Sequence, residues 1–299
     1  MPSSYRGKKA RFRRRKLQTG LLKYPEAPVL VNTREMKHRH LSMKGSFHYH
    51  ERMMSRYLDY YRSCIVYLPP SYETSYKNYP VLYMHDGNNL FDPATGFMGR
   101  EWKLDEALER LFENNSIPEM IVVGIYNSPA RMDEYTCHRH NYGGRQSGGK
   151  GHDYARFVVE ELKPMIDQHY RTLPQPQYTS TMGSSLGALI SFYMAQQYPE
   201  VFSRVGMLSP TVYWAGHQIL KDTALFPTHF KLWVDIGTEE GRNRNTEETV
   251  ESTQLFVKAL EQIGYQQPHN LGFYVDYMMG HDEHAWANRI ELPLRYLFG

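Results

Sequence analysis

Cysteine is scarce in this sequence, and long apolar stretches are missing. Cys64 and Cys137 are the only cysteines among 299 residues, which excludes the dense disulfide framework of small secreted domains. No apolar run approaches the ~20 residues that a membrane-spanning helix requires. The first residues are polar and basic without an apolar core, so we expect no secretory signal and a reduced, cytoplasmic setting.

The positive charge is concentrated near the start of the chain. The net charge is +3, but eight basic residues lie between residues 6 and 16, so the rest carries +3 minus 8, or −5. Because a run of like charges cannot bury itself, we interpret residues 1–20 as a solvated tail and residues 21–299 as one domain. The alternative is an anchor for nucleic acid or an anionic membrane. Phe12 is the only aromatic residue between 6 and 16, so we expect no specific nucleic-acid partner.

Short apolar runs alternate with helical patterns along the rest of the chain. Strands are predicted at 59–69, 81–85, 120–126, 177–182, 205–210, 231–237 and 272–277, and helices at 101–114, 153–170, 186–195, 246–263 and 283–298. Residues 28–50 show no clear pattern. The alternation predicts an α/β fold with a mostly parallel sheet covered by helices on both faces. Such sheets bind ligands beyond the carboxyl ends of their strands.

The segment Gly183-Ser184-Ser185-Leu186-Gly187 reads G-x-S-x-G between a predicted strand and a predicted helix. In α/β-hydrolases this turn lifts a nucleophilic serine out of the sheet. The serine backbone is strained there, and the flanking strand and helix approach too closely for a side chain at either glycine. We therefore predict that Ser185 is the nucleophile.

A serine nucleophile needs a base and an acid, which in this fold follow it in the order acid, then histidine. Glu240 follows the strand at 231–237 and is the candidate acid by analogy with such enzymes, with Glu239 as the alternative. His281 follows the last strand and is the candidate base, with His284 as the alternative. The opposing interpretations are solvated loop glutamates and a metal site at His281 and His284.

Two backbone N–H groups are predicted to stabilise the oxyanion. One is that of Leu186, directly after the nucleophile, and the other is that of Asn88, in the loop after the strand at 81–85. An ordinary Asp-Gly turn is the alternative for that loop. Five aromatic residues could wall a substrate pocket or belong to the core: Phe91, Phe97, Tyr213, Trp214 and Trp286.

No convincing metal-ligand spacing occurs in the sequence. There is no H-E-x-x-H and no set of cysteine partners. Histidine pairs two residues apart occur at His38/His40, His48/His50 and His138/His140, and we interpret them as polar loop residues. The alternative is that a pair lies on one face of a strand and binds a metal. We expect neither a metal nor a cofactor.

The chain also resembles the putative esterase family of α/β-hydrolases. The resemblance rests on residues 67–72, 79–92, 160–172, 183–187, 198–202, 209–210 and 280–286, and it extends over about residues 45–299. That family includes enterochelin, feruloyl and acetylxylan esterases and, more distantly, S-formylglutathione hydrolases and mycolyltransferases. The resemblance implies an α/β-hydrolase fold and cleavage of carboxylic esters by Ser185, His281 and Glu240.

Two departures from the family pattern bear on these expectations. Ala188 stands where the family often has a further glycine, and only about 45 residues precede the match, too few for the amino-terminal β-domain of enterochelin esterases. Some members of the family work with a serine–histidine pair and little help from an acid. The role of Glu240 therefore rests on analogy more than those of Ser185 and His281 do. We expect a serine esterase that acts through an acyl-enzyme on a small-molecule or carbohydrate-linked ester. The alternatives are an acyltransferase on the same scaffold and a non-catalytic binding protein, and the oligomeric state stays open.

Overall fold

A computed structural model describes residues 29–30, 44–241 and 246–299 of the chain. The solvated tail predicted for residues 1–20, with its basic segment, lies outside the described residues, as does the pair His38/His40. No helix in the described ranges is both long and apolar enough to cross a membrane.

Eleven strands are described, and nine of them form one sheet. In chain order they are β1 Val29–Leu30, β2 Ser46–Met53, β3 Arg62–Leu68, β4 Val81–His85, β5 Ile121–Ile125, β6 His140–Tyr142, β7 Arg145–Ser147, β8 Thr179–Ser184, β9 Arg204–Leu208, β10 Lys231–Gly237 and β11 Leu271–Asp276. The large sheet has the order β1-β2-β3-β5-β4-β8-β9-β10-β11, and β6 and β7 form a separate hairpin.

The helices are α1 Leu104–Glu113, α2 Arg131–Glu134, α3 Gly151–Arg156, α4 Lys163–His169, α5 Leu186–Gln197, α6 Trp214–Asp222, α7 Thr246–Gln262, α8 Glu283–Arg289 and α9 Glu291–Phe298. A π-helical segment, Phe157–Leu162, joins α3 to α4. Short 3₁₀ turns lie at Gly87–Asn89, Phe97–Gly99, Pro176–Tyr178 and Thr223–Leu225.

In the large sheet the neighbouring strands β5, β4, β8, β9, β10 and β11 run parallel to one another. The strands β1, β2 and β3 pair antiparallel, and β3 also pairs antiparallel with β5. All residues of β4 and β5 are buried, as expected for parallel strands covered on both faces. One apolar layer includes residues of α5 and α7, and the other includes residues of α1 and α9. The predicted α/β fold with a mostly parallel sheet is therefore confirmed, and Cys64 lies fully buried in the core.

Some elements differ from the sequence-based expectation. The predicted strands 81–85 and 231–237 match β4 and β10, but β2 lies in the segment where no pattern was recognised. Its burial does not alternate regularly, so the two-residue period is lost. The hairpin β6–β7 was also missed; Gly143 and Gly144 form its turn with positive φ angles. The predicted terminal helix is two helices that meet at Ile290.

The interpretation of His48 and His50 as loop residues is wrong, because both lie on β2. Their rings share the hydroxyl of Tyr170, at 3.2 Å from Nδ1 of His48 and 2.7 Å from Nε2 of His50. These histidines therefore connect β2 to the end of α4 through hydrogen bonds. Within the described ranges, no group of three or more histidine, cysteine or acidic side chains could hold a metal ion.

Candidate active site

Ser185 occupies the sharp turn between β8 and α5. Its φ of 57° and ψ of −123° are strained for a residue with a side chain. A Cβ atom added to Gly183 would lie 2.8 Å from the carbonyl group of Gly187, so the strand and helix can approach only because of the glycines. The Ser185 N–H donates to the carbonyl oxygen of Leu208 at 3.0 Å. The backbone geometry is thus that of a nucleophile elbow.

Glu240 and His281 form a hydrogen-bonded pair beyond the ends of β10 and β11. Oε2 of Glu240 lies 3.0 Å from Nδ1 of His281. The Glu240 side chain is 1% exposed, whereas that of His281 is 31% exposed and reaches the surface. The ring of His281 packs edge-on against Trp286, with centroids 5.1 Å apart. A buried carboxylate therefore orients a histidine that remains accessible.

The alternative residues lie apart from this pair. The side chain of Glu239 is exposed, and its backbone N–H donates to the carbonyl oxygen of Met279 at 2.9 Å. His284 is exposed on α8, where its Nε2 lies 3.2 Å from the side chain of Asn288. The structure thus pairs Glu240 with His281 and leaves both alternatives outside the contact.

Two clefts meet at Ser185, and both are also lined by His281 and Arg131. The first has a volume of about 400 Å³ and the second about 580 Å³. Ser185 and His281 are therefore brought to the same site. In the described part of the chain, the Ser185 hydroxyl bonds to Thr211 at 3.1 Å rather than to His281. Catalytic hydrogen bonds often form only when substrate is bound.

The aromatic residues singled out in the sequence separate into two groups. Tyr213 and Trp214 line the first cleft, whereas Phe97 and Trp286 line the second. Phe91 instead belongs to the core, with its ring centroid 5.1 Å from that of Phe47. Tyr142, from the hairpin that the sequence did not reveal, stacks on Trp214 at an interplanar angle of 27°. Four of the five candidate residues therefore wall the site.

The loop after β4 is held beside the elbow by Asp86. Its backbone is left-handed, with φ of 55°. Its carboxylate accepts two hydrogen bonds from Arg131 and one from Asn127, each at 2.7 Å. Burial would raise the pKa of Asp86, but the charge and hydrogen bonds of Arg131, together with Asn127, hold it below its ordinary value. An ionised carboxylate thus anchors this loop.

The two predicted oxyanion donors belong to residues that line the clefts at Ser185. Asn88 lines the second cleft, and Leu186 lines the first. Within the described ranges, neither backbone N–H donates to a protein acceptor. A Cβ atom added to Gly87 would lie 2.2 Å from the carbonyl carbon of Gly124, so this glycine allows the loop to press against β5.

Several polar residues of the site were not recognised in the sequence. Arg131, Asn127 and Thr211 belong to no motif, because each reaches the site from a loop or short helix defined only by the fold. Glu283 lines the second cleft, and burial raises the pKa of its carboxyl group. A polar residue directly after a strand end is the signal that could have indicated Asn127, which follows β5 by two residues.

The sheet order, the elbow serine and the acid–histidine pair define an α/β-hydrolase. The family model described as putative esterase matches residues 55–295, and the chain belongs to that family. It is therefore an ester-hydrolysing enzyme.

Individual proteins of known sequence or structure are also similar to this chain. The chain is 28% identical over 232 residues to the uncharacterized protein YbbA of Bacillus subtilis (strain 168), covering 75% of this chain and 85% of that protein. It is 27% identical over 174 residues to the ferri-bacillibactin esterase BesA of the same organism, covering 52% and 56%. The crystal structure of an IroE-like serine hydrolase from Shewanella oneidensis matches with a TM-score of 0.65 and 23% identity, covering 85% and 80%.

Proposed function

We propose that this esterase hydrolyses carboxylic esters through an acyl-enzyme formed on Ser185. His281 removes the proton from the serine hydroxyl through Nε2 as the oxygen attacks the ester carbonyl, and then gives that proton to the leaving alcohol. Glu240 holds the ring in the tautomer with the proton on Nδ1. Water then attacks the acyl-enzyme by the same route and releases the acid.

The 3.0 Å contact between Glu240 and His281, beside clefts that also contain Ser185, is the observation that carries this proposal. A non-catalytic binding protein would have no use for a buried carboxylate aligned on an accessible histidine. The Ser185–Thr211 hydrogen bond is compatible with this step when Thr211 is the donor, because the single proton of the serine hydroxyl is then left for His281.

We also propose that the N–H groups of Asn88 and Leu186 stabilise the oxyanion of the tetrahedral intermediate. Both lack protein acceptors among the described residues, and both border Ser185. Backbone donors that are fixed before the reaction need no reorganisation as charge develops. The Asp86–Arg131 pair would act here by holding the loop that contains Asn88.

The substrate that we propose is a small-molecule or carbohydrate-linked ester that spans Ser185, with one half in each cleft. The aromatic wall of the first cleft suits a planar or apolar group, and the amides of the second suit a polyhydroxylated one. The name of BesA adds siderophore esters as a class to test. The clefts also favour acyl transfer as a second candidate function, because an alcohol held in the polar cleft could replace water. Hydrolysis in the presence of added glycerol or methanol would then yield the new ester.

A fluorophosphonate probe and an ester panel test this function. The panel contains short p-nitrophenyl esters, feruloyl esters and catecholate lactones, and each is assayed with the wild type, Ser185→Ala and Ser252→Ala. Ser252 is a matched control, because it is a buried serine in α7 outside both clefts. We expect labelling and turnover to disappear only in Ser185→Ala. Equal labelling of all three proteins would remove Ser185 from the mechanism, and loss of activity on chelation with recovery on added zinc would contradict a metal-free triad.

A cytoplasmic location is also part of the proposal. Both cysteines are free, and burial raises the pKa of the Cys137 thiol to about 12, so neither is suited to disulfide exchange. Cell fractionation tests the location directly, and recovery of the enzyme from an extracellular fraction would contradict it.

A further inference from the structure

A buried cation, Arg289, lies behind the acid–histidine pair. Its side chain is 2% exposed at the end of α8. The guanidinium contacts Asp235 at 2.9 and 3.0 Å and Asp276 at 3.3 Å, and its Nη2 lies 3.7 Å from Oε1 of Glu240. Three carboxylates therefore share one cation. Because an uncompensated buried charge is costly, we expect the positive charge of Arg289 to offset part of the cost of burying these carboxylates, Glu240 among them.

The hydroxyl of Ser209 connects Arg289 to Glu240. It accepts a hydrogen bond from Nη2 of Arg289 at 2.6 Å and another from Nε1 of Trp286 at 2.9 Å. Guanidinium and indole nitrogens can only donate, and a hydroxyl has two acceptor positions and one proton. With both acceptor positions occupied, the proton of Ser209 is directed to its third neighbour, Oε1 of Glu240. The two donors behind Ser209 thus determine the direction of this hydrogen bond.

The carboxylate of Glu240 is consequently held at both oxygen atoms. Oε1 accepts from the Ser209 hydroxyl and from the Gly237 N–H, the latter at 2.8 Å. Oε2 is left for Nδ1 of His281. An acceptor fixed in this way keeps the imidazole proton on Nδ1 and leaves Nε2 free to accept the proton of a nucleophile.

We propose that Ser209 and Arg289 are positioning residues of the esterase reaction, which hold Glu240 ionised and aligned on His281. Ser209 acts through its directed proton, and Arg289 acts both through its charge and by setting that direction. The inference rests on the triad proposed above, since it assigns these residues a role only through Glu240.

The pH dependence of the reaction distinguishes such a role from simple packing. Activity requires an ionised Glu240 and a neutral His281. Loss of a donor or of a positive charge beside them makes both groups hold protons more strongly. The acid side of the pH profile must then move to higher pH. The other ionisable groups that face the pair stay unchanged in the variants proposed here: Asp86, Arg131, Asp235, Asp276, Asp282 and Glu283.

The experiment measures kcat and KM for p-nitrophenyl acetate between pH 5 and 9 in the wild type, Ser209→Ala, Arg289→Lys, Glu240→Gln and the control Ser252→Ala. Arg289→Lys retains the charge in case removal of the cation prevents folding. For Ser209→Ala we expect kcat to fall about 10-fold with KM within twofold, less than for loss of a donor to the oxyanion itself, because Ser209 acts only through Glu240. We also expect the pH of half-maximal kcat/KM to rise by about half a unit or more. In Arg289→Lys the pH of half-maximal kcat/KM should also rise, because lysine cannot reproduce the several hydrogen bonds that the planar guanidinium group donates.

A profile of Ser209→Ala that superimposes on the wild type after scaling by one constant would overturn the inference, since packing alone would explain the loss. If Glu240→Gln lowers kcat while Ser209→Ala and Arg289→Lys leave the profile in place, only this inference fails. If Glu240→Gln leaves both kcat and the profile unchanged, the proposed triad fails with it. A shift in Ser252→Ala equal to that in Ser209→Ala would equally overturn the assignment.

Discussion

The two clefts that meet at Ser185 differ in their chemistry. Tyr142, Tyr213 and Trp214 wall the first, whereas the second combines three asparagines with Phe97 and Trp286. The second also contains the ion pair between Arg100 and Asp282, at 3.5 Å. Aromatic surface favours flat or apolar groups, and amides favour groups that hydrogen-bond. The comparison teaches that the surroundings on the two sides of Ser185 and His281 differ, although these two residues line both clefts.

Replacement of a residue shared by the clefts should have the largest effect. His281→Ala should lower kcat by on the order of 10³-fold for every ester, because His281 is the proposed general base and lines both clefts beside Ser185. His284→Ala is the matched control, since this histidine is exposed and lies outside the pair. Steady-state kinetics with two unrelated esters measure both variants. If His284→Ala lost its activity while His281→Ala kept it, the assignment of His281 as the general base would be refuted.

Replacement of a residue in only one cleft should have a smaller and selective effect. Tyr142 and Phe97 form a matched pair, because they are 52% and 62% exposed and line the first and second cleft. Each substitution to alanine should raise KM by about 3- to 10-fold for one half of the substrate, in line with the loss of one aromatic contact.

The measurement uses two series of esters, one varied in the acyl group and the other in the alcohol. We expect Tyr142→Ala and Phe97→Ala to act on different series. If both variants affected the same series to the same extent, the ester would not span the two clefts.

The ion pair between Asp86 and Arg131 predicts that the stability of the protein depends on pH. The folded pKa of Asp86 lies below its unfolded value of about 3.9, so the ion pair with Arg131 stabilises the protein fully above pH 4. The contribution is lost as the pH falls through the folded pKa. Asp86→Asn should therefore cost about 2 kcal/mol at pH 7. The difference in unfolding free energy between Asp86→Asn and the wild type should narrow as the pH falls below about 4.

Urea unfolding at several pH values tests this prediction. Asp222→Asn serves as a control, because Asp222 is another carboxylate with side-chain partners but lies outside both clefts. A gap between Asp86→Asn and the wild type that stays constant down to pH 2 would show that the carboxylate is not stabilised in its charged form.

The smallest effect is expected from the basic segment near the start of the chain. We expect removal of residues 1–20 to leave ester turnover within twofold and the thermal midpoint within about 2 °C, because the solvated tail predicted from the sequence would contribute no buried surface. Weak binding to polyanions that depends on salt should disappear with the tail. Loss of most of the turnover, or unfolding several degrees earlier, would mean that the tail folds against the acidic body of the protein.

Much of the fold, and the three candidate catalytic residues, could be predicted from local patterns in the sequence. Apolar runs such as 81–85 and 231–237 indicate buried strands directly. The glycine spacing around Ser185 has one physical cause, the close approach of strand and helix. Glu240 and His281 were indicated because polar residues that follow parallel strands gather at one edge of the sheet. Each of these signals is contained within about ten neighbouring residues.

Other features depend on contacts that no local pattern reveals. Arg289 and Ser209 are 80 positions apart, and Asp86 and Arg131 are 45 apart. The strand β2 shows no regular alternation, because its burial is set by the elements that pack on it. The sequence by itself determined the sheet, the elbow and the types of residue at the carboxyl edge, since backbone geometry and apolar periodicity act locally. The tertiary structure decided which carboxylate meets His281 and which buried cation compensates it, because charge compensation depends on distance in space and not along the chain.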